Sequence, residues 1–121
     1  MKALFDTNIL IDYLNGIEAA RDEIALYAQP VISSISWMEV MVGAASDAEE
    51  IQLRAFLSRF EVVAVSLDVS ERAVELRRDH RMRLPDAIIW ASAFSESCLL
   101  ITRNVRDFPE NHPGIRVPYR L

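Results

Sequence analysis

The sequence predicts an α/β fold, a three-layer α/β/α sandwich in which helices cover both faces of a central parallel sheet. Three observations carry that prediction. Short apolar or β-branched runs alternate with longer stretches of helical periodicity in the order β-α-α-β-α-α-β-α-α-β, the arrangement that builds crossover-connected parallel sheets. The run Leu99-Leu100-Ile101 is continuously apolar, as a strand covered on both faces is. The segment 87–94 is apolar nearly all round, which fits a helix buried on several sides. With 121 residues, 51% of them hydrophobic and 26% charged, the chain fits one domain over 1–121 and leaves no room for a second.

The elements follow in order. Residues 2–5 read as the first strand, and Asp6 or Thr7 caps a helix that runs through Leu14 and stops at Asn15-Gly16. A second helix occupies 17–28 and ends at Gln29-Pro30, because proline disfavours helical backbone in the residue before it. Val31-Ile32 is a short strand that leads through Ser33-Ser34-Ile35-Ser36 into a helical stretch over 37–42, closed by Gly43. Ser46-Asp47-Ala48-Glu49 matches a capping box, and Ile51, Leu53, Ala55, Phe56, Leu57 and Phe60 continue behind it at helical spacing. Residues 62–65 form the next strand. Asp68 caps a helix with Val69, Ala73 and Leu76 on one face, and Leu84-Pro85 opens the apolar helix, since proline suits a first helical position. Leu99-Leu100-Ile101 is then a buried strand and Ile115-Arg116-Val117 an edge strand. No internal repeat, low-complexity tract or linker interrupts this series.

Composition excludes several classes. A net charge of -5 argues against binding polyanions by bulk charge, so nucleic-acid contact requires a local basic patch or a bridging cation. The single cysteine, Cys98, excludes an intrachain disulfide and fits a reducing, cytoplasmic setting. The N-terminus lacks the neutral core of a signal peptide, and charges interrupt every apolar run, so no membrane association is expected.

Four acids occupy seams between strand-like and helix-like segments. Asp6 follows the first strand, Glu39 and Asp86 lie in the first turns of later helices, and Asp107 follows Leu99-Leu100-Ile101. Parallel strands point the same way, so these seams open at one edge of the sheet. Carboxylates gathered there repel one another unless protonated or bound to a cation, and hard divalent ions favour such oxygen ligands. Each acid also has a structural explanation. Asp6 suits a helix cap, Glu39 the capping-box partner of Ser36, Asp86 the helix dipole and Asp107 an ordinary turn. Neither His80, in a charged helix end, nor His112, in a Pro-rich tail, makes a convincing general base.

The segments Phe5-Asp6-Thr7-Asn8-Ile9-Leu10, Ile32 through Gly43 with Ser36-Trp37-Met38-Glu39 at its centre, Arg83-Leu84-Pro85-Asp86-Ala87-Ile88-Ile89, and Leu100-Ile101-Thr102-Arg103-Asn104-Val105-Arg106-Asp107-Phe108 occur in order along the chain. In this it resembles the PIN-domain ribonucleases, most closely the small stand-alone toxins of the VapC type from type II toxin–antitoxin systems. The resemblance implies an endoribonuclease dependent on Mg²⁺ or Mn²⁺, usually homodimeric and held inactive by a cognate antitoxin. It also implies that Asp6, Glu39 and Asp86 are catalytic metal ligands, with Asp107 as the fourth acid and no further cofactor. Many relatives carry an aspartate where this chain has Asn104, so Asn104 is the alternative fourth residue, binding through its amide oxygen or positioning water. Trp90 replaces a smaller residue, which bears on packing.

Thr7 and Thr102 are candidates for orienting a carboxylate or phosphate, beside an equally ordinary role as caps. Arg83, Arg103 and Arg106 flank the acids and are candidates for RNA phosphate contacts, whereas Arg77, Arg78 and Arg81 read first as a solvated helix face. Two other functional classes share parts of this pattern. A phosphoryl-accepting receiver domain requires a central strand-borne aspartate and a late lysine, but the middle reads Leu53-Arg54-Ala55-Phe56-Leu57 and the only lysine is Lys2. A catalytically silent RNA-binding or protein-interaction module of the same fold is the alternative, and the intact set of acids argues against it.

Overall fold

The computed structural model describes residues 1–121 and puts β1 (Lys2–Phe5) at the centre of a five-stranded sheet. All pairings are parallel, in the order β3 (Glu61–Val63), β2 (Gln29–Ser33), β1, β4 (Leu99–Ile101), β5 (Ile115–Arg116). In register, Leu4 is level with Val31 and Leu100, while Phe5 is level with Ile101. Because side chains alternate along a strand, these two rows face opposite sides, and each is fully buried.

The rows seed two cores. Leu4, Val31 and Leu100 pack under α5 (Leu67–His80) and α6 (Leu84–Ser95), through residues such as Val69, Ala73, Ile89 and Trp90. Ala3, Phe5, Ile32 and Ile101 pack under α1 (Thr7–Leu14), α2 (Glu18–Ala25) and α4 (Asp47–Leu57), through Leu10, Ile24 and Phe56. The short helix α3 (Ser34–Met41) serves both sides, with Ile35 against the first core and Val40 in the second. This is the predicted three-layer sandwich. No helix is long and apolar enough to cross a membrane.

Element ends differ from the sequence reading for identifiable reasons. Helix α2 stops at Ala25, and β2 already includes Gln29 and Pro30. The Gln29 N–H donates to Met1 on the β1 side, so the Pro30 nitrogen faces the other side, where β3 pairing begins only at Val31. Proline therefore costs the ladder nothing. Helix α3 starts at Ser34, three residues earlier than expected, because the Ser33 hydroxyl accepts from the Ile35 N–H at 3.1 Å. Ser36 is buried within that helix, so its expected capping-box partnership with Glu39 is not formed. Strand β3 covers 61–63 rather than 62–65, since its partner β2 ends where Ser33 becomes a cap. Ser66, not Asp68, caps α5 by accepting from the Val69 N–H, and Asp68 sits in the first turn where its charge meets the positive helix end.

The C-terminal segment is tied down by buried charge and by rings. Arg116 forms two bonds to the buried Glu23 carboxylate, at 2.6 and 3.0 Å. Trp90, fully buried, meets Phe108 and His112 edge-on and lies 4.9 Å from the His80 ring. Both histidines thus serve packing. Every buried side-chain nitrogen or oxygen has a hydrogen-bond partner.

Trp90→Ala is expected to lower unfolding free energy by roughly 3–5 kcal/mol in urea titrations, because it opens a cavity where α6 meets the 108–112 segment. A loss under about 1 kcal/mol would show that the aromatic cluster is dispensable.

Candidate active site at the carboxyl edge of the sheet

The chain builds β1, β2 and β3 outward in one direction and then returns to place β4 on the other side of β1. Such a reversal opens a crevice at the carboxyl ends of the central strands, where ligands bind in open α/β sheets. Asp6 is the first residue beyond β1. Its N–H continues the ladder by donating to Ile101 at 2.9 Å, and its Oδ1 caps α1 by accepting from the Thr7 N–H at 2.8 Å. The capping explanation of Asp6 therefore holds, and it uses only one carboxylate oxygen. Oδ2 accepts from the Thr102 hydroxyl at 2.7 Å and from the Asn8 amide at 3.0 Å.

The other acids arrive from different elements. Glu39 projects from α3, where the Thr7 hydroxyl donates to its Oε1 at 2.6 Å and lies 2.8 Å from the hydroxyl of Ser36. Asp86 stands in the first turn of α6 and accepts from Arg83 Nε at 3.3 Å. Asp6, Glu39, Asp86 and Asn104 all line one cleft of about 330 Å³. Asp107 does not. It faces the neighbouring hollow and holds Asn104 from behind, accepting from its amide at 2.9 Å and donating its own N–H to the Asn104 oxygen at 3.1 Å. Of the two candidates for fourth residue, Asn104 forms the cleft wall and Asp107 braces it.

Electrostatics couples the acids. Asp6 is pushed up to about 6, chiefly by burial and further by the charges of Asp86 and Glu39, against hydrogen bonds from Thr102 and the Thr7 N–H. Burial also raises Asp86, with Asp107 and Glu39 adding to it and Arg83 opposing. Asp6, Glu39 and Asp86 offer the cleft carboxylate oxygens, suited to a hard divalent cation that relieves this repulsion, beside Arg83 and Arg103 in the same lining. No three His, Cys, Asp or Glu side chains form a ready cage. An ion in this cleft would be held by few protein oxygens, with water completing its shell, as hard divalent ions allow.

The three candidate arginines differ. Arg103 lines the acid cleft and is also anchored: Nε and Nη2 bond the buried Asp12 carboxylate at 2.5 and 2.9 Å, which fixes the loop after β4 and leaves the side chain partly exposed. Tyr119 donates to the same carboxylate at 2.8 Å. Arg83 keeps most of its guanidinium exposed beside Asp86, and Arg106 is exposed at the neighbouring hollow. Sequence reasoning missed roles for Asn8, Ser36 and Asp12. The Asp6-x-Asn8 spacing at a helix start, and Ser36 one turn before Glu39, were the available signals; Asp12 had none, because its partner lies 91 residues away.

The PIN domain family matches residues 3–111. Ribonuclease VapC10 of Mycobacterium tuberculosis is 31% identical over 113 residues, covering 88% of this chain and 85% of that protein. Among solved structures, the toxin-antitoxin complex from Klebsiella pneumoniae contains a similar chain, 46% identical with a TM-score of 0.92, covering 98% of this chain and 99% of that one. The DNA-bound VapBC structure from Salmonella typhimurium matches at 28% identity and a TM-score of 0.75, over 96% of each chain.

For metal-free protein the raised Asp6 pKa sets a pH dependence. Its stability contribution is fully present below the ordinary value of 3.8 and is lost as pH rises through about 6. The unfolding free energy of the wild type minus that of Asp6→Asn is therefore expected to fall by roughly 2–2.5 kcal/mol between pH 4 and pH 7.5. Denaturant titrations in EDTA across that range check it, and a flat difference would refute the burial account.

Proposed function

We propose, since the chain belongs to the PIN-domain family, that it is a metal-dependent endoribonuclease and the toxin of a toxin–antitoxin pair. Divalent-metal dependence is general among PIN-domain ribonucleases. The observation that carries the reading for this chain is the convergence of Asp6, Glu39 and Asp86, from three separate elements, on one cleft at the strand reversal. A cluster of caps has no reason to share a cleft. A buried pair of carboxyls driven toward protonation by its surroundings has a reason to be there if a cation neutralises it.

Asp6, Glu39 and Asp86 are assigned as holders of one or two Mg²⁺ or Mn²⁺ ions, with the Asn104 oxygen and Asp107 adjoining. When bound, such an ion acidifies a water and neutralises charge on the scissile phosphate and leaving oxygen. The chain's own residues do the orienting. Thr102 and Asn8 fix Asp6 Oδ2, and Thr7 fixes Glu39 Oε1, so the carboxylates are aimed before any ligand arrives. Arg83 holds Asp86 through Nε and leaves its remaining nitrogens to meet an RNA phosphate, as Arg106 does from the other side. Phosphate contacts of this kind position a strand without reading its bases.

The antitoxin partner is supported by the likeness to chains solved in toxin–antitoxin complexes. An arginine side chain from such a partner, entering the acidic cleft, would satisfy the same carboxylates that a metal does. Homodimerisation is proposed from family likeness, and cytoplasmic action accords with the single free Cys98.

Purified, antitoxin-free protein incubated with cellular RNA is expected to produce discrete cuts with Mg²⁺ or Mn²⁺ and none in EDTA. Asp6→Asn and Asp86→Asn are expected to retain the wild-type circular dichroism spectrum and to lose the cuts. Thr102→Val is expected to weaken metal affinity by about 10- to 100-fold, read by calorimetric metal titration. Undiminished cleavage by clean Asp6→Asn protein would falsify the catalytic assignment.

A further inference from the structure

The acid cleft does not end at Arg83. That residue is also one wall of a second and larger hollow, about 630 Å³, lined otherwise by Val74, Arg77, Arg78 and Leu84. The hollow lies where the last turn of α5 meets the first turn of α6. Arg81 closes α5 in the left-handed conformation at φ 54°, and this sharp reversal returns Arg83, the N-cap of α6, beside the end of α5.

Charge in this hollow is unusual for a chain of net charge -5. Arg77 and Arg78 form no ion pair, although Glu75 and Asp79 share their helix; Arg59, Arg72, Arg81 and Arg106 are likewise outside any ion pair, so what distinguishes this hollow is that Arg77, Arg78 and Arg83 line it together. Cations in a last helical turn are favoured by the helix dipole, which accounts for basic residues there. It does not account for a third guanidinium, from the following helix, facing the same hollow. Nor does it explain Val74 and Leu84, which stay 42% and 46% exposed between the charges. Cationic rims over aliphatic ground suit a ligand with regularly spaced anions and flat apolar faces, which is the chemistry of a single-stranded nucleic acid.

We infer that this hollow is a binding site for the RNA strand continuing out of the acid cleft, with Arg77 and Arg78 taking backbone phosphates and Val74 and Leu84 receiving a base. Arg83 joins the two sites, facing Asp86 on one side and the hollow on the other. The inference rests on the ribonuclease reading above. It makes this groove a positioning site that sets affinity and favours longer strands, since its contacts are to the backbone.

The test measures binding of a fluorescent RNA tetramer and dodecamer by anisotropy, in an Asp6→Asn background so that the probe survives. Arg77→Ala/Arg78→Ala is compared with a charge-matched control, Arg21→Ala/Arg120→Ala, after circular dichroism establishes that both are folded. Loss of two phosphate contacts is expected to raise the dodecamer Kd about tenfold and to shrink its advantage over the tetramer. The slope of log affinity against log salt is expected to become shallower by about 1.4, at roughly 0.7 per phosphate on a single strand. If the double variant fails to fold, Arg77→Ala and Arg78→Ala singly carry the same test, each with a slope change of about 0.7.

Kd and salt slope indistinguishable from the control would overturn the inference. So would loss of self-association with RNA affinity retained, which assigns the groove to a second copy of the chain. Cleavage by otherwise wild-type protein is assayed in parallel with Mg²⁺ and Mn²⁺. Cutting by the wild type with no binding defect in the arginine variant sinks the groove alone. Absence of cutting in every metal sinks the ribonuclease reading, while the anisotropy series still decides the groove.

Discussion

A carboxylate placed at the end of a central strand loses most of its water, and burial alone drives it toward its neutral form. Asp6 meets that constraint with its whole surroundings. Its backbone extends the sheet, one oxygen caps α1, and the other is held by Thr102 from the loop after β4 and Asn8 from the helix it caps. These bonds fix β1, α1 and β4 relative to one another at the carboxyl edge. They do not cancel the desolvation, and nearby Asp86 and Glu39 add to it, so the group stays raised to about 6. The site therefore holds Asp6 in a surrounding that disfavours its charge, at some cost to stability, as functional sites commonly do.

Holding that arrangement requires the segments around it to be rigid. The loop after β4 carries Thr102 and Asn104, and it is fixed by the Arg103–Asp12 pair, to which Tyr119 from the C-terminal segment is also bonded. Arg116 on Glu23 of α2 repeats the device in the same layer. Ion pairs with a buried carboxylate and a partly exposed arginine are weak evidence for net stability, since desolvation offsets attraction, but loss of the arginine strands a buried charge. Their value here lies in geometry. They tie the tail to α1 and α2 and so keep the edge strand and the site loop in register.

Cleft and arginine groove divide the electrostatic work. The acids gather negative charge at the strand reversal, and Arg77 and Arg78 place positive charge at the α5–α6 turn, with Arg83, paired to Asp86, lining both hollows. An acidic chain can in this way meet a polyanion locally, which net charge alone would discourage.

The sequence by itself determined the order of elements, the two-faced sheet and the buried character of α6, because hydrophobic period, proline position and caps act over a few residues. Asp6, Glu39 and Asp86 were legible for the same reason, each standing at a seam that local pattern defines. Only the tertiary structure decided which side chains became partners. Arg103 turns to Asp12, Asn104 takes the cleft wall with Asp107 behind it, and Ser36 is buried beside Thr7 instead of capping its helix. Strand ends were likewise decided by neighbours, as when Ser33 leaves the sheet to cap α3 and so ends the pairing of β3. The physical reason is common to all of these. A hydrogen bond or ion pair between residues far apart in sequence is chosen by the geometry of the closed fold, and no local periodicity records it.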